Sequence, residues 1–259
     1  MASLDKIKLF KLISILFTKL AGAGFTLLLF FTFLFLQSEW DMVEFVDTIS
    51  SEYIWIIIFG YGIFCSILID IIEWKIARIN KTLKILLYIV AGYAFFFING
   101  INVINFIAGT IGALCALIFY FGTYLTDRSK GRKLVFAFLV PLFFILLMNI
   151  NFTEKKQWDE ERKATSYTAS FEYFNGKHEI PIKVNEGQII NISIDFKNQN
   201  GGGYGYHVLN PKGDLVGMTE AEEREMTFTA HESGVYHVVV TGDDLQGGIT
   251  VKWTIDETK

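Results

Sequence analysis

Up to Asn151 the apolar positions come in long unbroken runs; beyond it they alternate with polar ones at every second residue. The two periods belong to two different objects. The runs lie at residues 20–38, 53–69 and 134–153, and a fourth, 85–126, carries no charge over 42 residues. A membrane-spanning helix needs roughly 20 mostly apolar residues at about 1.5 Å each. The longest run exceeds one span and breaks at Asn99-Gly100-Ile101-Asn102, a turn signal, so it reads as a helical hairpin. The pattern thus predicts an α-helical multi-pass membrane domain over 20–153, with five transmembrane helices at about 20–38, 53–73, 84–99, 104–126 and 134–151. Pro141 is expected to kink the fifth. Residues 1–19 read as a basic amphipathic N-terminal segment lying on an anionic leaflet, or as a cytoplasmic extension of the first helix. The basic start also suits a cleaved signal peptide, but no small-x-small site follows Phe35.

After a charged linker at 154–165, alternation predicts strands at 167–174, 179–184, 188–196, 204–209, 215–218, 224–230, 235–241 and 249–255. Between them stand turn residues such as Asn175-Gly176, Gly201-Gly202-Gly203 and Gly247-Gly248. Short strands at even spacing argue for an all-β sandwich, jelly-roll-like, over 166–259. Ile190, Ile192, Ile194 and Phe196 share an inward row, as do Met226, Phe228 and Ala230, and Tyr236, Val238 and Val240.

Charge orients the chain. Residues 1–151 carry 12 Lys and Arg against 9 Asp and Glu; residues 152–259 carry 11 against 18. Basic clusters (Lys6, Lys8, Lys11 and Lys19; Lys75, Arg78, Lys81 and Lys84; Arg128, Lys130, Arg132 and Lys133) fall in every second loop. The loop holding Glu39, Asp41, Glu44, Asp47 and Glu52 has no Lys or Arg. By the positive-inside rule the N-terminus is cytoplasmic and the β domain extracytoplasmic, at the plasma membrane. The acidic second half offers no basic footprint for nucleic acid. The only cysteines, Cys65 and Cys115, lie in apolar runs and read as inert fillers, so no disulfides hold the β domain.

The string Val184-x-x-Gly187, Tyr206-x-Val208-x-Asn210-Pro211-x-Gly213, Met226-x-Phe228-x-Ala230 and Gly234-x-Tyr236-x-Val238-x-Val240 resembles the GOLD and bacterial pre-peptidase C-terminal (PPC) sandwiches over residues 178–255. The resemblance implies a binding or accessory module without catalytic residues. Cargo-receptor function does not follow, because five spans precede the module and it lacks cysteine. With the missing disulfides, the resemblance implies a bacterial envelope setting.

Little in the chain points to chemistry. No ionisable side chain falls near a predicted midplane; Asp70 and Glu73 stand at the inner end of the second span and read as interfacial residues paired with the basic loop. Asn99, Asn102, Asn105, Asn149 and Asn151 cluster at the outer face as turn and cap residues or a polar vestibule. In the fourth span Gly109, Gly112, Ala113 and Ala116 permit close helix packing, internally or between copies of the chain as a homo-oligomer. His207 and His237 alternate outward from strands that could be neighbours, but a third zinc ligand at a telling spacing is lacking. Asp243, Asp244 and the acidic run 220–225 lack the spacing of a calcium loop. No cofactor motif and no nucleophile motif occurs. Tyr204 and Tyr206 in NGGGYGYH present an aromatic edge to a sugar or peptide, although loop flexibility alone would account for the glycines; Tyr204, His207 and His237 are the ligand-surface candidates.

The expected function is that of an integral membrane protein, not an enzyme. It displays a β domain that binds or positions an envelope protein, peptide or glycan while its helices sit in the lipid bilayer. The alternative is a small transporter or membrane-embedded accessory subunit with the β domain as a cap. An embedded enzyme would have only Asp70 and Glu73 to work with.

Overall fold

The computed structural model describes residues 2–76, 80–98, 100–222 and 225–256. It divides into two compact units, Met1–Ile150 and Asn151–Lys259.

The first unit is helical. Helix α1, Ala2–Gln37, runs through the predicted N-terminal segment and first span without a break. The side chains of Lys6, Lys8 and Lys11, which were to make that segment basic, lie outside the described residues, as do Arg78 and Asn99. A short helix α2, Met42–Ile49, occupies the acidic loop, where the Asp41 carboxylate accepts from the Val43 and Glu44 N–H groups at 2.6 and 3.1 Å. Helix α3, Glu52–Lys75, contains a π-helical stretch at Ile56–Tyr61. Helix α4, Lys81–Phe97, and helix α5, Val103–Asp127, form the hairpin expected from Asn99-Gly100-Ile101-Asn102. Asn80 and Asn102 cap them by accepting from the Leu83 and Asn105 N–H groups, each at 2.8 Å. The last helix, α6, joins Lys130–Leu134, a π stretch Val135–Leu139 and Val140–Leu147. Pro141 brings no N–H, so the carbonyl a turn earlier loses its donor, and the wide π stretch lies just N-terminal to it.

Three of these helices, Ile13–Gln37, Glu52–Lys75 and Val103–Asp127, are long and apolar enough to cross a membrane. The expectation of five is corrected to that extent. Helix α4 has 17 residues, about 25 Å at the α-helical rise, against a hydrocarbon core of roughly 30 Å. Helix α6 opens with Lys130, Arg132 and Lys133. The core holds Leu27, Phe31, Ile49, Ile69, Phe119 and Phe144, with the Phe31 ring edge-on to Phe144 at 4.8 Å. Large apolar side chains also cover the outside: Ile104, Ile107, Phe143 and Leu146 are all more than half exposed. That surface suits hydrocarbon rather than water.

The second unit is one antiparallel sheet built on two long strands. These are β3, Ser166–Val184, and β8, Gly234–Asp256, of 19 and 23 residues, paired along nearly their whole length. The other edge of β8 is shared: β4, Ile189–Asn198, pairs with its C-terminal half and β5, Gly203–Leu209, with its N-terminal half. Strands β7, Glu225–Thr229, and β6, Thr219–Glu222, extend the β4 side, while β1, Glu154–Lys156, and β2, Asp159–Arg162, pair with β3. Inward side chains from both halves of the long strands, among them Tyr167, Phe171, Ile180, Ile182, Val238 and Val251, share one buried core.

Several expectations are corrected. Asn175-Gly176 and Gly247-Gly248 are not turns between strands but irregular points inside β3 and β8, with Gly176 at φ 120° and Gly247 at φ 130°. Pairs of predicted strands therefore merge, and a continuous sheet replaces the separate sheets of a jelly roll. Residues 154–165 are not a bare linker, since they supply β1 and β2. Residues 215–218 are no strand and make only an isolated bridge, Leu209 to Leu215; the strand follows at Thr219. Arg224, the predicted start of the strand at 224–230, lies outside the described residues. The inward rows fall as the alternation required: Ile190, Ile192, Phe228, Ala230, Tyr236, Val238 and Val240 are buried, with Ile194 and Phe196 partly so.

Candidate functional site

Strands β4 and β5 take successive stretches of the same edge of β8, with Phe196 opposite Ile249 and Tyr204 opposite Gly242. Their inward rows lose cover there. Val208 is fully buried, but Tyr206 is 38% and Tyr204 56% exposed. Phe196 and Tyr204 stack at 4.5 Å, and with Ile194, Asp195, Gly205 and Tyr206 they border a cleft of about 540 Å³.

The glycine-rich loop beside this shelf is wired rather than loose. Asn198 Oδ1 accepts from the Asn200 and Gly201 N–H groups at 3.2 and 2.8 Å, and its Nδ2 donates to the Gly202 carbonyl at 2.7 Å. Asn200 Nδ2 donates to the Asp244 carbonyl at 2.6 Å, and its Oδ1 accepts from Gln246 N–H at 3.1 Å. The two asparagines at alternate positions were the legible signal for such a clamp.

The backbone of β5 is open on one side. Val208 accepts from Val216 N–H at 2.9 Å on the edge away from β8. Strand alternation turns the N–H and C=O groups of Tyr204 and Tyr206 towards that same edge. Past the reach of Val216, β5 pairs only with β8 among the described residues. Aromatic rings, a fixed loop and free backbone groups thus meet in one place.

The histidines lie on the opposite face. His207 and His237 are diagonal neighbours, since His207 is opposite Val239 and His237 opposite Leu209. His237 Nδ1 is 3.0 Å from Glu179 Oε2 on β3. Among the described residues no three His, Cys, Asp or Glu side chains converge as metal ligands would. Asp244 accepts from the Tyr173 hydroxyl at 2.5 Å, which pushes that phenol up to about 12.

A second polar cluster brings Lys155, Trp158 and Glu160 of the predicted linker onto Tyr167 and His178 of β3. Lys155 Nζ is 2.6 Å from His178 Nδ1 and 4.2 Å from the centre of the Trp158 ring. An ammonium brings only donors, so His178 Nδ1 accepts and the ring proton sits on Nε2, 3.9 Å from Glu160 Oε2. Burial, then the nearby Lys155 charge, pushes the His178 pKa down. Burial likewise lowers that of Lys155. Hydrogen bonds from the Tyr167 hydroxyl at 2.6 Å and the Trp158 indole at 2.7 Å hold the Glu160 carboxyl below the usual range. The arrangement fastens β1 and β2 onto the core, where Trp158 stacks on Phe171 at 5.0 Å.

In the helical unit, Asp70 pairs with Lys19 at 2.5 Å and with Lys84 at 3.2 Å, and Glu73 with Lys84 at 2.5 Å. The partners come from α1 and α4. Gly109 faces the Tyr93 ring of α4, and a Cβ on Gly112 would stand 2.6 Å from the Gly92 carbonyl oxygen. Ala113 is buried in the same hairpin and Ala116 is partly buried.

No family model matches the chain, so none supports the GOLD or PPC resemblance, and no curated protein matches it significantly. Among solved structures, the periplasmic inhibitor of g-type lysozyme PliG from Aeromonas hydrophila is 13% identical, with 37% of this chain and 93% of that one covered and a TM-score of 0.27. An accessory secretory protein 1, 2 and 3 structure from Streptococcus pneumoniae is 14% identical, with 42% and 90% covered and a TM-score of 0.25.

Proposed function

We propose that this is a multi-pass protein of the plasma membrane that presents its β unit outside the cytoplasm and docks an extended peptide segment of an envelope partner along β5. The observation that carries this reading is the coincidence of the open β5 edge with the exposed Tyr204 and Tyr206 rings beside the Phe196 stack. Adding a strand satisfies backbone groups on both chains, and pockets for alternate side chains select the sequence. The wired loop favours binding, because a surface already held in place loses little entropy when occupied. The orientation, with the N-terminus inside, is supported by the Lys and Arg clusters in alternate loops. The resemblance to GOLD and PPC sandwiches, which are binding modules, agrees with this role.

The test places a photo-crosslinking residue at Tyr204 in the full chain in intact cells. A peptide adduct from one envelope protein, kept in Tyr206→Phe and lost in Tyr206→Pro, is the expected result. Proline removes the outward N–H of Tyr206 without touching the β5–β8 ladder. A glycan adduct, or a peptide adduct indifferent to proline, would sink the strand-addition reading.

A further inference from the structure

The helical unit encloses a cavity of about 240 Å³ between α1, α3, α4 and α5. Its polar wall groups are nearly all engaged within the protein. Thr26 Oγ1 donates to the Gly22 carbonyl at 3.0 Å, the Tyr61 hydroxyl donates to the Ala91 carbonyl at 2.6 Å, and the Tyr88 hydroxyl shares a 2.6 Å bond with Ser66. The remaining polar atoms are the thiols of Cys65 and Cys115, which are weak donors. Such a wall has nothing to offer a polar or charged guest, which would surrender its hydration without recompense. It suits hydrocarbon.

Two features of the wall keep this space open. Ile57, Ile58 and Tyr61 line it from the π-helical stretch of α3, a register that is rare and recurs at functional sites. Ala116 of α5 leaves the opposite wall without bulk. The cavity exceeds the roughly 150 Å³ of an apolar cavity known to stay dry and bind benzene. Ile111 on its wall is 44% exposed, so the space reaches the outer apolar surface. Two of the enclosing helices, Glu52–Lys75 and Val103–Asp127, are long and apolar enough to cross a membrane, which puts lipid tails at that opening.

The geometry points to a binding site for a single acyl chain of a bilayer lipid, held between α3 and α5 with the two thiols at its wall. The site is independent of the β5 edge, and either reading can fail alone.

The full chain is reconstituted in phospholipid bilayers containing a phospholipid with a diazirine in its acyl chain, illuminated, and mapped by mass spectrometry. Adducts are expected to concentrate on the segments holding Ile57, Cys65 and Cys115, to saturate as the probe fraction rises, and to fall when unlabelled phospholipid is added. Filling the cavity through Ala116→Leu or Cys65→Leu should lower those adducts about tenfold, the change expected when room for about two methylenes is lost. Adducts on the outward Leu142 and Ile145 should not change. Labelling spread evenly over the outward faces, or adducts that neither saturate nor respond to filling, would overturn the site. The saturation curve of the unaltered protein decides the matter even where a filled variant fails to accumulate.

Discussion

His178 shows how one residue couples the β1–β2 segment to pH. Its folded pKa lies below the ordinary histidine value of 6.5, with Lys155, Glu160, Glu179 and Arg162 as the charged groups around it. The unfolded chain therefore binds a proton first at this site as pH falls, and the His178 contribution to stability drops below about pH 6.5 and is flat above it. Glu160 acts in a lower window. Its depressed pKa contributes stability above the unfolded value of 4.5, lost as pH falls through the folded one. The melting temperature of the full chain, followed by tryptophan fluorescence, should fall between about pH 7.5 and 5.5, and His178→Gln should reduce that fall. An unchanged slope would remove His178 as its source. In the core, Ile190 has no exposed surface, and Ile190→Ala should cost about 2–5 kcal/mol in denaturant unfolding of the β unit.

Among the elements, the α4–α5 hairpin is sharply constrained. Its helices approach closely enough at Gly92 and Gly112 that a methyl on either meets backbone of the other. Gly112→Ala should lower stability by about 1–3 kcal/mol, seen as a lower midpoint for heat-induced aggregation in detergent. Because Gly109 and Gly112 meet α4 of the same chain, this loss should not depend on protein concentration; a concentration-dependent loss would point to contacts between copies. Turn chemistry is outweighed in the sheet. Asn175-Gly176 and Gly247-Gly248 are turn-forming pairs, yet the ladder between β3 and β8 continues on both sides of them, and hydrogen bonding on both flanks outweighs a local preference of a residue or two.

For the whole molecule, the number of crossings has a direct readout. In a Cys65→Ala/Cys115→Ala background, Ser129→Cys stays protected from a membrane-impermeant maleimide applied to intact cells if five helices cross. It is labelled if only Ile13–Gln37, Glu52–Lys75 and Val103–Asp127 do. Ser51→Cys should be labelled in both cases and serves as the control.

Short-range patterns in the chain were sufficient for much of this. The division near Asn151, the helical hairpin, the cap at Asn102, and the inward rows of β4, β7 and β8 all depend on residues a few positions apart, where helix and strand periods act. Tyr204 and Tyr206 share the face of buried Val208, so alternation alone does not show that they are exposed. What the tertiary structure alone decided is the pairing of segments far apart in the chain. Ser166 lies opposite Lys252, which fuses four predicted strands into two, and Lys155 reaches His178 from a stretch that alternation does not mark. The cleft beside Tyr204 lies where β4 gives way to β5 along the edge of β8, and the cavity at Cys65 and Cys115 exists because four helices fail to close on one another. Local propensity sets which way a side chain points; only the packed chain sets what it meets there.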